Sequence, residues 1–319
     1  MASRQPGLFD DGPPPPTLRD IADAVREAGV DGLASAQRRA DQALYQEVHV
    51  RSALAEAKGM PFRWTLNSYR GCTHACEYCY ARKYQRHLEL GTGDDFSSVI
   101  FAKTNLPRVL ARELGRSSWA REQVAVGTAT DPYQPIEGHY RITRGCLEVL
   151  NDAATPFSIT TKGPMVVRDL DLLERATAGP GCRVHMSVAT VDDKAWAQLE
   201  PGTASPLQRL RAARHLADAG IDVGVLMMPL VPGITTSRES IARTVEAIAR
   251  AGVPIAGVNV AHLEDGVRTH FFDFLAREYP ELVEGYERLY QGRYASKDYC
   301  AAVRERVADV RRTIPVPPR

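Results

Sequence analysis

The sequence predicts an α/β protein built on a partial (β/α)6 barrel with helical extensions at both ends. Three observations carry that reading. Six short apolar or β-branched runs alternate with six helical periods, a pattern that predicts parallel strands joined by right-handed crossovers. The six units fill about 200 residues, short of the roughly 250 of a complete eight-fold barrel. The 319 residues are 44% hydrophobic and 25% charged, enough to bury one large core or two ordinary ones.

Residues 1–16 end in Pro13, Pro14, Pro15 and Pro16, which hold an extended conformation and read as a flexible tail. From Thr17, Leu18, Ile21, Ala22 and Val25 recur at helical spacing, so 17–60 reads as a helical N-terminal extension, a short amphipathic helix whose sequel over 30–60 is polar, weakly periodic and looks like a connecting segment. The barrel unit is expected over 61–263. Its strands are read at 64–70, 123–129, 156–162, 183–190, 221–228 and 254–261, with helices near 76–90, 104–115, 141–152, 168–178, 205–219 and 236–251. Residues 264–319 place Phe271, Phe274 and Leu275, then Val303, Val307 and Val310, at helical spacing, and read as a C-terminal helical extension closing the barrel's open side.

Lys+Arg is 40 against Asp+Glu 39, a net charge of +1, so the chain as a whole has no field to attract a polyanion. A nucleic-acid contact would need a local patch. Arg82-Lys83 with Arg86 is one candidate; Arg304, Arg306, Arg311 and Arg312 follow a helical period and read as a solvated face. No apolar run reaches about eighteen residues, and the start lacks the pattern of a secretory signal, so a cytoplasmic protein without membrane contact is expected. Six cysteines are too few for a disulfide scaffold in a chain of this length. Three of them, Cys72, Cys76 and Cys79, form a C-x3-C-x2-C loop just after the first barrel strand. Thiolates so placed can each bind one iron of a cube, leaving the fourth iron open for a ligand. The alternative is zinc held by the same cysteines with His74 or His87. Cys146, Cys182 and Cys300 keep step with apolar neighbours and read as structural.

The loop, with Leu66-Asn67-Ser68-Tyr69-Arg70-Gly71 before it and Tyr80-Ala81-Arg82 after it, resembles the radical S-adenosylmethionine (SAM) superfamily. The segment Gly127 to Pro135, the stretch from Glu200-Pro201 to Arg209, and Val223 to Gly233 are similar to the branch that includes spore photoproduct lyase, the likeness running over about 61–275. The resemblance implies a partial barrel of the radical SAM type, a [4Fe-4S] cluster on Cys72, Cys76 and Cys79, and SAM chelated to the open iron. A reduced cluster would split SAM to methionine and a 5′-deoxyadenosyl radical that takes hydrogen from a substrate. An electron donor such as flavodoxin or ferredoxin is implied as partner, and nucleic acid is a candidate substrate.

Residue by residue, Thr128, Thr130 and Asp131 fall where the family binds the SAM amine. Lys162, at the end of its strand, suits the methionine carboxylate. Tyr78 matches the aromatic position that approaches adenine, Ser187 a position contacting SAM, and Arg209 one holding ribose or carboxylate oxygens. Spore photoproduct lyases use tyrosines beside the cluster, matched by Tyr78 and Tyr80, with Tyr80 read as catalytic. They also use a cysteine where this chain has Thr128, which argues against plain photoproduct repair. Asp131, Tyr133, Gln134 and Glu137 follow the second strand, where they could face a substrate. Other classes left open are an iron–sulfur electron-transfer or redox-sensing protein and a zinc-stabilised nucleic-acid binder.

Overall fold

The computed structural model describes residues 41–88 and 91–318. The proline tail and the first part of the expected N-terminal helix lie outside the described residues. Ten strands are described: β1 Leu44–Val48, β2 Leu54–Glu56, β3 Trp64–Leu66, β4 Tyr69–Arg70, β5 Val99–Lys103, β6 Val124–Val126, β7 Phe157–Thr161, β8 Cys182–Ser187, β9 Val223–Leu230 and β10 Ile255–Val260. Seven form one sheet in the order β10-β9-β8-β7-β6-β3-β2. All its neighbours are parallel except β2, which runs antiparallel along β3. Six parallel strands side by side in chain order, each followed by a helix, are the winding of a (β/α) barrel left open between β3 and β10.

Sequence dictates the burial. All of Val124–Val126 is buried, and β7 and β8 bury Phe157, Ile159, Val184 and Met186 between the helices and the lumen, as expected of parallel strands covered on both faces. Helix Leu106–Leu114 buries Leu106, Val109, Leu110 and Leu114, and helix Arg238–Arg250 buries Ile241, Thr244, Val245 and Ile248. Helix Pro206–Asp218 opens with a capping box, Ser205 Oγ accepting from Gln208 N and the Gln208 amide oxygen accepting from Ser205 N. C-terminal helices span Val267–Glu278, Val283–Leu289 and Lys297–Thr313, the last packing on helix Arg238–Arg250 and on β10. No helix among the described residues is long and apolar enough to cross a membrane.

The structure differs from the sequence reading in three places. The strand expected at 64–70 breaks after Leu66, because Asn67 turns its amide to Thr128 Oγ1 (3.1 Å) and to Ala129 N (2.7 Å), while Ser68 Oγ meets Thr143 Oγ1 (2.9 Å). Side chains so engaged pull the chain off the ladder, and β4 pairs instead with β5 in a three-stranded sheet of order β1-β5-β4. The described part of 17–60, read as a polar connecting segment, holds two strands, β1 lying parallel to β5 from Leu44↔Val99 to Val48↔Lys103. The helix expected over 76–90 starts only at Tyr80 and is 3-10 over Tyr80–Leu88. Backbone groups before it are claimed from outside the loop, as the next subsection shows.

Candidate active site

The cysteine loop lies at the carboxyl ends of the parallel strands and is fixed by its own backbone. Gly71 enters it at φ +81, and a Cβ there would lie 2.5 Å from the Val99 carbonyl oxygen, so only glycine fits. Cys72 N donates to Phe96 O (2.9 Å), Glu77 N to Leu199 O (3.0 Å) and Gly202 N to His74 O (3.1 Å). Arg82, 2% exposed, turns its guanidinium back under the loop. It donates to the carbonyls of Cys76 (3.0 Å), Ala75 (3.1 Å), Thr92 (3.1 Å) and Gly93 (2.7 Å), and its cation lies 5.1 Å over the Phe96 ring.

Cys72 and Cys76 are buried, Cys79 is partly exposed, and all three are free thiols. Burial pushes Cys72 well above an ordinary thiol and Cys76 up to about 12, although Lys162 pulls Cys76 the other way. Thiolates this reluctant to stand alone suit a bound cation that replaces the proton. The donor set fits an iron–sulfur cube carried on one side. Among the described residues no three His, Cys, Asp or Glu side chains converge tightly enough to cage a single ion; a cube takes one thiolate per iron and asks for a wider spread.

Segment 127–131 is sewn to this loop. Thr130 Oγ1 donates to Gly71 O (2.6 Å), and Gln134 Nε2 donates to Thr130 Oγ1 (3.0 Å) while its Oε1 accepts from Thr73 N (3.0 Å). Tyr80 donates its hydroxyl to the Thr128 carbonyl, and its ring lies 5.7 Å from His262, just past β10. Asp131 joins three elements: His74 Nδ1 of the cysteine loop lies 3.3 Å away, and Thr161 Oγ1 and Lys162 N at the end of β7 each donate at 2.6 Å.

Burial opposes ionisation of Asp131, but His74 and these hydrogen bonds outweigh it and bring the carboxyl down to about 2. A carboxyl depressed on folding contributes stability above its unfolded value near 3.8, lost as pH falls through about 2. Asp131→Asn is therefore expected to lower the urea midpoint at pH 7. The gap between variant and native chain should narrow as pH falls from 4 toward 2; a gap constant across that range would show that the charge does not matter.

A second cluster lies beside Cys76 and Cys79. Lys162 sets its ammonium 5.7 Å over the Tyr78 ring, and Tyr78 donates its hydroxyl to Glu200. Glu200 Oε2 meets Arg209 Nη2 at 2.5 Å with both side chains buried. Burial works against ionisation of Glu200, yet Arg209 and Lys162 hold it below the usual carboxylate range. Burial works against the Lys162 charge too, and Cys76 and Glu200 raise it above the ordinary lysine value. Ser187, buried at the end of β8, lends its carbonyl to Arg209 Nη1 (3.0 Å).

The structure brings Tyr78, Tyr80, Thr128, Thr130, Asp131 and Lys162 together with the cysteine loop, joins Ser187 to them through Arg209, and shows what several of the expected residues bond to. Arg209, expected at ribose or carboxylate oxygens, is fully buried and spends its guanidinium on Glu200, Thr203, Ala204 O and Ser187 O. Thr130 and Asp131 are likewise committed to the scaffold. Tyr133, Gln134 and Glu137, expected to face a substrate, are buried: Glu137 pairs with Arg168 (3.0 Å) and Tyr133 donates to Asp169 (3.0 Å). The basic patch at Arg82-Lys83 is spent as well, Arg82 on carbonyls and Lys83 on Glu264 (2.7 Å). Glu200 was assigned no function of its own from sequence although it lay inside a quoted motif, and His74, read there only as an alternative zinc ligand, instead faces Asp131.

Residues 66–245 match the radical SAM superfamily. An uncharacterised protein of Mycobacterium tuberculosis strain H37Rv is 39% identical over 304 residues, covering 94% of this chain and 86% of that protein. The radical SAM Nalpha-GlyT isomerase of Pseudomonas phage M6 is 27% identical over 181 residues, 57% of this chain and 35% of that one. Among solved structures, spore photoproduct lyase complexed with dinucleoside spore photoproduct shares the fold with a TM-score of 0.64 at 15% identity, over 93% of this chain and 92% of that chain. With a match across more than half of its length and a C-x3-C-x2-C loop seated at the strand ends, the chain belongs to the radical SAM superfamily.

Proposed function

We propose that the chain is an enzyme that cleaves SAM reductively and removes a hydrogen atom from a second substrate. The single observation that carries this is the triple-cysteine loop, two of its thiols buried, set against Lys162 and segment 127–131 at the carboxyl ends of the strands. Cys72, Cys76 and Cys79 would hold a [4Fe-4S] cluster, which when bound supplies an open iron for SAM and one electron for its cleavage. Reduction would come from a small electron carrier of the flavodoxin or ferredoxin kind.

The chain's own residues divide the remaining work. Lys162 offers an ammonium suited to the SAM carboxylate, because Asp131 fixes its backbone while its side chain projects over Tyr78. The Tyr78 ring, held by Glu200, gives an apolar surface for adenine. Backbone carbonyls of 128–131 would accept the hydrogens of the amine, with Thr130 and Asp131 acting through the position they impose on that segment. Ser187 lies on the β8 side of the same mouth. Tyr80 sits between Thr128 and His262, where its ring and hydroxyl border the space open to a substrate.

For that substrate we take nucleic acid first, since the solved relative of shared fold holds a dinucleoside photoproduct. Thr128 cannot return a hydrogen atom as a thiol can, so the product differs from plain photoproduct reversal. Anaerobic reconstitution with iron and sulfide, then reduction with SAM, tests the first half: brown protein and 5′-deoxyadenosine are expected. Brown protein without the nucleoside would leave an electron carrier, and colourless protein with bound zinc would overturn the cluster. Deuterium carried from labelled DNA or RNA into 5′-deoxyadenosine tests the second half, and its absence from both would remove nucleic acid.

A further inference from the structure

A second site lies outside the cysteine mouth, where the chain leaving β1 passes the start of helix Leu106–Leu114. A cleft of about 440 Å3 opens there, lined by Val50, Arg51, Asn105, Arg108, Val109 and Arg112. We propose that it binds a phosphate-bearing anion.

Its walls are fixed. Asn105 Oδ1 accepts from Val50 N (2.8 Å) and its Nδ2 donates to Val50 O (2.9 Å), clamping the segment after β1 to the helix entrance. Arg112 Nη2 donates to Arg51 O at 3.1 Å, which carries its guanidinium across the cleft. Arg108 and Arg112 stand four residues apart and share a helix face. Three arginines thus line one concavity, and among the described residues none of them has a carboxylate partner. Glu113, one residue beyond Arg112, is already spent on Ala53 N (3.0 Å) and Leu54 N (2.9 Å).

Like charges held together in this way repel unless an anion sits between them. The planar fork of arginine matches phosphate oxygens in pairs, and the volume falls in the range of small-ligand sites. Val109, buried, and Val50 give the cleft an apolar floor beneath its charged rim. The same connection reaches the cysteine mouth through Lys103, two residues before Asn105, whose ammonium donates to Asn67 O at 2.7 Å. The inference rests on the cleft alone and stands or falls separately from the cluster.

The test uses the full chain at low salt with two probes, inorganic pyrophosphate by calorimetry and a short single-stranded oligothymidylate by fluorescence anisotropy. Saturable binding of at least one probe is expected, weakened about tenfold in the Arg108→Gln/Arg112→Gln variant, as the loss of charge-assisted bonds implies. Both side chains are exposed, so the thermal melt should not move. Binding of pyrophosphate alone identifies a free phosphorylated ligand, and binding of the oligonucleotide alone identifies a strand backbone. If neither binds, or both bind the variant as well as the native chain, the site does not exist.

Discussion

Cys76→Ala is expected to give a protein that, after reconstitution and reduction with SAM, forms no 5′-deoxyadenosine. The substitution takes away one thiolate and little else. Cys76 reaches the fold mainly through its backbone, whose carbonyl accepts from Arg82 Nε and from Cys79 N at 3.2 Å, and alanine keeps both bonds. A small buried side chain is shortened by one atom, so the melting temperature should fall by no more than a few degrees. Iron and sulfide content by colorimetric assay, the nucleoside by chromatography and the fold by circular dichroism separate loss of the cluster from loss of structure. Turnover retained in this variant would refute the assignment of the three cysteines.

Arg82→Met is expected to damage the same site through the scaffold. The guanidinium serves four carbonyls of the cysteine loop and of the turn at Thr92 and Gly93, with 2% of the residue exposed. Methionine keeps much of the apolar stem against Phe96 but takes a donor from each of the four oxygens, those of Ala75 and Cys76 in buried surroundings. Taking the donor from buried carbonyls costs about 1–3 kcal/mol, to be read from urea midpoints, and iron uptake should fall with it. Arg82→Lys should recover part of both, since a single ammonium satisfies fewer of the four acceptors. A midpoint and an iron content equal to those of the native chain would show that the loop holds its own shape.

How much of this was legible in the sequence depends on how far apart the partners lie. Runs such as Val124–Val126 and Phe157–Thr161 announce themselves, because strands covered on both faces need unbroken apolar or β-branched residues. Leu44–Val48 does not, since its exposed Leu44, Gln46 and Glu47 give neither alternation nor a continuous run. Val99–Lys103 has a strand-like composition, yet it pairs with a segment more than fifty residues earlier in the chain, which no local pattern reveals. The cysteines and Lys162 were readable from type and spacing. Arg82, Asp131, Glu200 and Arg209 are charged residues that resemble surface ones, and only the fold shows that each is buried against a specific partner. Tyr78 and Glu200 are separated by 122 positions, so their bond belongs to tertiary structure alone.

The antiparallel strand β2 occupies a flank of the large sheet that would otherwise show a bare row of amide and carbonyl groups. Its outermost position means that the catalytic domain as delimited by family likeness, beginning at Leu66 and ending at residue 245, omits strands on both flanks. A polypeptide trimmed to those limits is expected to expose two unpaired sheet margins and to associate through them.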